Sequence, residues 1–150
     1  MAHTYSSILA HCIFSTKNRE KTICSDLQER LWPYMGGIAK ENKMKALKIG
    51  GISDHVHILL SLPTTIAPSK ALQLIKGVSS SWVHQSFPEY RGFEWQEGYG
   101  IFTIGYSQIE KTVQYIERQQ EHHRKKTFQE EYLEFLKKYH IEYDERYIWG

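Results

Sequence analysis

Two histidines separated by one apolar residue, His55 and His57, have the clearest potential for chemistry in the sequence. They open an apolar run over residues 55–62, which predicts a β-strand. Because alternate residues of a strand share a face, both imidazoles are expected to project together while Val56 points into the interior. Two imidazoles on one face suit a divalent metal ion, and each ring keeps a second nitrogen for an outer partner. Asp54 would point the other way and is not predicted to be a ligand.

The spacing of this pair also has a chance interpretation, because the chain holds eight histidines in 150 residues. The setting favours a metal site. The pair stands at the start of a strongly apolar strand, where polar groups without partners would cost free energy.

A second group of reactive residue types occurs in residues 113–123. On a helix, Tyr115, Gln119 and His122 share one face through steps of four and three residues. The Tyr115 phenol could act as a covalent nucleophile, and the Gln119 amide oxygen suits a hard metal ion. The alternative is a half-buried packing tyrosine followed by an exposed glutamine, and the spacing alone leaves both interpretations open.

The basic stretch that follows, Arg124, Lys125 and Lys126, has two interpretations of equal weight. The cations could hold DNA phosphates, or they could lie in solvent at the negative end of a helix dipole. Three aromatic residues, Trp82, Trp95 and Tyr99, are candidates for stacking on unpaired bases, with core packing the expected role of Trp82.

The elements that must position these residues begin with a core strand over residues 6–15 and a polar loop over residues 17–23. Ser25 is predicted to cap a helix. Pro33 interrupts its apolar pattern, so that the helix either kinks there or starts near Trp32. Residues 47–53 and 55–62 predict two strands, and Pro68 opens the next helix.

The second half of the sequence predicts a short strand over residues 99–104 and two helices. Ser107 is predicted to cap the helix that carries Tyr115. Thr127 and Glu130 have capping-box spacing at the start of the last helix. The order of elements predicts an α+β, ferredoxin-like fold in one domain, residues 1–150. The sheet is antiparallel with helices packed on one face, followed by the C-terminal tyrosine-bearing helix.

Composition sets broad limits on the class of protein. Hydrophobic residues make up 41% and charged residues 24% of the chain, with a net charge of +2. We expect a soluble protein. The sequence has no apolar run long enough for a membrane helix and no secretory signal pattern at its start, and Cys12 and Cys24 fit neither a disulfide framework nor a zinc knuckle. A cytoplasmic location is therefore expected.

Together, the two motifs resemble a known superfamily. His55-Val56-His57 resembles the histidine–hydrophobic–histidine motif of the HUH endonucleases. The five residues from Tyr115 to Gln119 resemble the Tyr-x-x-x-Gln helix of their one-tyrosine, TnpA-type transposases of single-strand insertion sequences. Residues 14–19, 95–100 and 121–126 support the likeness, which covers roughly residues 5–147.

The resemblance implies a homodimer in which the tyrosine helix of one subunit can complete the active site of the other. It implies His55, His57 and Gln119 as ligands of a divalent metal, Mg²⁺ or Mn²⁺, and Tyr115 as the nucleophile. The implied reaction cleaves and rejoins single-stranded DNA at transposon ends with hairpins, through a 5′-phosphotyrosine.

Three alternatives accompany this interpretation. The chain could be a domesticated relative that cuts hairpin repeats for its host. It could also be a non-catalytic binder of single-stranded nucleic acid with a similar fold, for which Tyr115 would be irrelevant. Finally, it could be a plain metal hydrolase that uses His55 and His57 without a tyrosine.

Overall fold

A computed structural model describes residues 3–150 as four β-strands and five α-helices, joined in places by single 3-10 turns. The elements in chain order are β1 (Leu9–Ser15), α1 (Ser25–Glu41), β2 (Lys45–Ile52), β3 (His55–Ser61), α2 (Pro68–Ser86), β4 (Gly100–Ile104), α3 (Ile109–Glu117), α4 (Gln119–His122) and α5 (Phe128–Lys138). This succession of strands and helices is the predicted one, except that the tyrosine-bearing segment is divided into α3 and α4.

The four strands form one antiparallel sheet in the order β2-β3-β1-β4. The two central strands, β1 and β3, each pair with a neighbouring strand along both edges. All their residues except Ser61 are buried. This is why both strands read as nearly continuous apolar runs in the sequence. The topology confirms the predicted α+β, ferredoxin-like class.

One face of the sheet packs against α1 and α2. Alternate residues of the central strands point to this face and join the main hydrophobic core: Ala10, Cys12, Phe14, Val56, Ile58 and Leu60. The helices contribute Leu27, Leu31 and Met35 from α1 and Leu72 and Ile75 from α2. Each such side chain contributes roughly 1.5–3 kcal/mol by leaving water, so this layer fixes the sheet on which the histidines stand.

The opposite face of the sheet carries the candidate site. Ile13 of β1 packs there with Phe128, Tyr132 and Leu136 of α5. Ile13 is also the register partner of His57, which places the histidine pair on this face. The first two helices thus cover one face of the sheet, while the tyrosine-bearing segment and α5 cover the other.

The hairpin of β2 and β3 brings the histidine pair to one end of the sheet. Its turn lies at Ser53 and Asp54, so the prediction of two strands is confirmed. A Cβ atom at Gly51 would come 2.2 Å from the carbonyl oxygen of His55, so only glycine allows the strands this approach. The hairpin therefore fixes the backbone on both sides of His55.

Two predicted helix starts are wrong by one or two residues. Cys24, not Ser25, is the N-cap of α1, because Cys24 keeps an extended backbone and the helix begins at Ser25. Ser107 lies inside the 3-10 turn Tyr106–Gln108, and α3 begins at Ile109. Gln108 occupies the N-cap position of α3 without a side-chain cap hydrogen bond, and its side chain accepts instead from the backbone N–H of Gly105.

The capping box predicted at the start of the last helix is confirmed. Thr127 caps α5 by accepting from the backbone N–H of Glu130, whose carboxylate accepts in turn from the Thr127 N–H. The alternative that this helix starts near Trp32 is wrong, because α1 begins at Ser25 and continues through Pro33. Both Cys12 and Cys24 are free thiols. Within residues 3–150, no helix has the length and apolar character needed to cross a membrane.

Candidate metal and tyrosine site

His55 and His57 stand at the start of β3 with both rings fully buried. Val56 between them points into the main core, as strand alternation predicts. His55 Nδ1 donates to Asp54 Oδ1 at 2.7 Å, because the turn of the hairpin directs the aspartate back toward the ring. Asp54 is therefore an outer partner of His55. The other ring nitrogen of His55, Nε2, is left facing the space below α4.

His57 also has an outer partner, His11 of β1. His11 Nε2 lies 2.8 Å from His57 Nδ1, within hydrogen-bonding distance. Burial and the neighbouring His57 lower the pKa of His11 to about 3, so His11 stays neutral. A neutral imidazole in this place fixes the ring of His57 and leaves His57 Nε2 facing the same space as His55 Nε2.

Gln119 closes this space from the side of α4. Its side chain is almost fully buried, and its Oε1 lies 3.1 Å from His55 Nε2. Its Nε2 donates to the carbonyl oxygen of Tyr115 at 3.2 Å. The helix that the sequence predicts through Tyr115 and Gln119 is interrupted at Arg118, which caps α3 with non-helical backbone angles. The prediction of one continuous helix is wrong, but the two side chains still meet the histidines together.

Tyr115 lies at the edge of the histidine cluster, half-buried. Its ring centroid is 5.7 Å from that of His57 and 4.5 Å from that of His122. The hydroxyl donates to Glu131 Oε2. Burial and the negative charge of Glu131 raise the pKa of Tyr115. The phenol is thus held protonated, with its oxygen directed toward the cluster.

Glu131 and His123 belong to the cluster and were missed by sequence reasoning. Glu131 Oε1 lies 2.9 Å from His57 Nε2, 3.3 Å from His123 Nε2 and 3.5 Å from His55 Nε2. Burial opposes the carboxylate charge, but His57 and His123 outweigh it and lower the pKa of Glu131. Burial likewise opposes protonation of His123. The hydrogen bond and negative charge of Glu131 outweigh the effect of burial and raise the pKa of His123.

One signal for Glu131 was present in the sequence. Phe128, Glu131, Tyr132 and Phe135 follow the i, i+3, i+4, i+7 spacing of a buried helix face. An acidic residue inside that stripe requires a buried partner. For His123 there was no such signal, because only the tertiary packing shows that His123, and not the adjacent His122, belongs to the cluster.

The donor atoms of the cluster fit a divalent cation in type and spacing. His55, His57, His123 and Glu131 each offer one donor atom, and these atoms lie within 4.8 Å of one another. Gln119 Oε1, in contact with two of them, is a further oxygen donor. Ligands bound about 2.0–2.2 Å from one ion are about 3–3.6 Å apart, which is close to the spacing of adjacent donors here.

The predicted DNA-contacting cations lie outside this cluster. Arg124, Lys125 and Lys126 occupy the exposed turn between α4 and α5. Lys126 forms an ion pair with Glu134 at 2.7 Å, while Arg124 and Lys125 are in solvent. Among the candidate stacking residues, Trp95 is buried and donates to Ser79 Oγ, so it serves the core.

Comparison with known proteins identifies the family. Residues 4–119 match the family model described as "Transposase IS200 like". The chain belongs to the IS200-like transposase family. The match contains His55, His57, Tyr115 and Gln119 and ends at the last of these. His123 and Glu131 of this IS200-like transposase lie beyond it.

Two curated relatives are similar over most of their length. The transposase for insertion sequence element IS200 of Salmonella typhimurium is 26% identical over 126 residues, 81% of this chain and 82% of that protein. The ISDra2 transposase TnpA of Deinococcus radiodurans is 25% identical over 114 residues, 73% of this chain and 81% of that protein. Enzymatic transfer of DNA is thus the activity of the IS200-like family to which the chain belongs.

Two solved structures share the fold of this IS200-like transposase. A crystal structure described as a transposase of Deinococcus radiodurans has a TM-score of 0.66 at 22% identity and covers 79% of this chain and 95% of its own. A REP-associated tyrosine transposase bound to a REP hairpin has a TM-score of 0.60 at 15% identity and covers 82% of this chain and 73% of its own.

Proposed function

We propose that this IS200-like transposase cleaves and rejoins single-stranded DNA at transposon ends through a 5′-phosphotyrosine on Tyr115. The single observation that carries this proposal is that the Tyr115 hydroxyl and the paired imidazoles of His55 and His57 meet in one buried cluster. In the proposed enzyme, His55, His57 and Gln119 hold a divalent ion, Mg²⁺ or Mn²⁺. When bound, the ion polarises the scissile phosphate and stabilises the charge that develops on it.

The residues of the chain then have defined tasks. The Tyr115 oxygen attacks phosphorus as its proton leaves, the new O–P bond forms, and the bond from phosphorus to the 3′-oxygen breaks. The 3′-oxygen takes up a proton and is released as a hydroxyl. A 3′-hydroxyl later attacks the phosphotyrosine, which restores the phenol and joins the strands. Neither step needs a nucleotide cofactor, because each phosphodiester is exchanged for a phosphodiester.

The proposed substrate is single-stranded DNA that carries hairpins. The similar transposase bound to a REP hairpin supports this choice, since it has the same fold. The exposed cations Arg124 and Lys125 are proposed to contact phosphates of the strand. The free thiols and the absence of a membrane-spanning helix in the described chain agree with the proposed cytoplasmic site of action.

The test uses DNA labelled at one end or the other. Single-stranded DNA from the flanks of the gene is incubated with the protein and Mn²⁺. Strands labelled at the 3′ end are expected to give a denaturant-resistant adduct, and strands labelled at the 5′ end a shortened product with a free 3′-hydroxyl. Tyr115→Phe should abolish the adduct, whereas Tyr106→Phe, at an exposed tyrosine, should not.

Each alternative has its own outcome in this test. DNA binding without any adduct would indicate a non-catalytic binder. Cleavage that survives Tyr115→Phe would indicate a metal hydrolase. An adduct formed only on hairpin repeats remote from the gene would indicate a domesticated enzyme.

A homodimer with shared sites is a further part of the proposal, and mixing tests it. Tyr115→Phe and His57→Ala are each expected to be inactive. If tyrosine helices are exchanged between subunits, an equal mixture regains about a quarter of the wild-type sites, because half of the dimers are mixed and each has one intact site. If Tyr115 serves the histidines of its own chain, as in the arrangement described above, mixing restores nothing.

A further inference from the structure

The strongest observation outside the proposed ligand set is a shared orientation of three imidazoles. His55, His57 and His123 each direct Nε2 into the cluster, where Glu131 Oε1 lies within 3.5 Å of all three. Each Nδ1 is held from outside, by Asp54, by His11 and by the Lys126 carbonyl oxygen at 2.6 Å, respectively. A ring nitrogen held by an outer partner while the other faces a common point is the usual arrangement of metal-binding histidines.

Glu131 is held in the same way. Its Oε2 accepts from the Tyr115 hydroxyl, and its Oε1 faces the three imidazoles. The carboxylate is almost fully buried, and a buried charge of this kind requires strong compensation. A divalent cation between Oε1 and the imidazoles would supply that compensation at a spacing the donor atoms already have.

We propose that His123 and Glu131 are ligands of the same ion as His55, His57 and Gln119. This inference rests on the proposed function, and it enlarges the ligand set to three imidazoles, one carboxylate and one amide oxygen. Both additional ligands lie beyond the residues that match the family model. Because α5 carries Glu131, ion binding also docks this helix on the sheet.

The enlarged donor set determines which ions bind. Three imidazole nitrogens favour transition-metal ions such as Mn²⁺, Co²⁺ and Zn²⁺, whereas Mg²⁺ prefers oxygen ligands and retained water. With only two imidazoles this preference would be weaker. The protein is therefore expected to bind Mn²⁺ at least about 100-fold more tightly than Mg²⁺.

The experiment measures ion binding in the absence of DNA. The full chain is stripped with a chelator and titrated calorimetrically with Mn²⁺ and with Mg²⁺. Glu131→Gln and His123→Gln are each expected to weaken Mn²⁺ binding at least about tenfold. The matched controls Glu134→Gln on the same helix and His122→Gln at the neighbouring histidine are expected to bind within twofold of wild type.

Two further measurements keep the test decisive. Circular dichroism establishes that each variant is folded, and Glu131→Asp, which keeps the charge, should recover part of the affinity if Glu131→Gln unfolds. Hydrogen exchange of α5 amides is expected to slow on addition of Mn²⁺ in wild type and not in Glu131→Gln. Wild-type affinity in both folded variants, or equal affinity of wild type for Mn²⁺ and Mg²⁺, would overturn the inference.

The outcome is separable from that of the proposed function. Tyr115→Phe removes the hydrogen bond to Glu131 Oε2 but no ligand, so it is expected to weaken Mn²⁺ binding less than Glu131→Gln does. If His57→Ala loses ion binding while Glu131→Gln and His123→Gln keep it, the enlarged ligand set is wrong and the transposase mechanism stands. If all these ligand variants lose binding but wild type never forms a DNA adduct, the ligand set stands and the mechanism is wrong.

Discussion

Gly50 of β2 lies directly beneath Ile116 of α3, so close that a Cβ atom on Gly50 would come 2.9 Å from the Ile116 carbonyl oxygen. Ile116 is the residue next to Tyr115, and it is almost fully buried. This contact sets the height of the tyrosine helix above the sheet. The missing side chain of one glycine thereby determines how near the phenol lies to the histidines.

Gly50→Ala is therefore predicted to impair the chemistry more than the fold. The methyl group meets backbone, which must move, and α3 lifts from β2. We expect a loss of about 1–3 kcal/mol in stability and a roughly 10- to 100-fold slower formation of the DNA adduct. Rates of adduct formation and thermal unfolding measure the two effects.

Gly37→Ala in α1, where nothing lies within 4 Å of the added atom, is the control and should stabilise the protein by about 0.5–1 kcal/mol. Unchanged adduct formation in Gly50→Ala would contradict the role assigned to this contact.

Asp54→Asn is predicted to weaken metal binding without removing a ligand. The asparagine keeps the shape but loses the charge that orients His55 through Nδ1. Loss of an outer partner typically costs about 10- to 100-fold in metal affinity. A Mn²⁺ titration measures the change, with Asp26→Asn on the exposed side of α1 as control. An affinity equal to wild type would mean that the hydrogen bond at 2.7 Å does not orient the ring.

Two of the three predicted helix caps, Thr127 and Ser107, give a paired test of the fold. Thr127→Ala removes the side-chain acceptor at the start of α5 and is expected to cost about 1 kcal/mol. Ser107→Ala should change stability by less than about 0.5 kcal/mol, because Ser107 lies within a 3-10 turn and caps nothing. Chemical denaturation of both variants provides the comparison. Equal losses would contradict the assignment of the cap to Thr127 alone.

The exposed basic turn is predicted to add affinity for DNA without sequence preference. Arg124→Gln combined with Lys125→Gln should weaken binding of a single strand and reduce the slope of log affinity against log salt by about 0.7 for each lost contact. Fluorescence anisotropy at several salt concentrations measures this slope. Lys137→Gln with Lys138→Gln on α5 removes the same charge elsewhere. If that pair has the same effect, the turn has no special role.

The sequence was sufficient to predict those features of the fold and the site that depend on a local signal. Strand alternation predicted that His55 and His57 share a face with Val56 opposite, and the sheet confirms it. Thr127 and Glu130 likewise identified their own helix start. Such patterns depend only on a few neighbouring residues, so the packing of the rest of the chain does not change them.

Predictions failed where tertiary packing determines the local structure or the contacts of a side chain. Nothing between Tyr115 and His122 is a glycine or proline, yet the helix breaks at Arg118, and the Gln119 side chain beyond the break meets His55 and His123. Glu131 is joined to the histidines only because α5 docks across the sheet, which periodicity alone does not reveal. The family resemblance covers this part of the chain but assigned no role to His123 or Glu131, and the match to the family model ends at Gln119.

Glu131 follows His57 by 74 residues and Tyr115 by 16, while His11 precedes His57 by 46. The cluster is therefore closed by contacts between distant parts of the chain, and such contacts are slow to form because long loops must close first. On the ribosome, a chain that has emerged only as far as Gln119 already contains the histidine pair and the tyrosine but lacks the carboxylate that connects them. The fully connected cluster thus arises only after synthesis of the segment that carries α5.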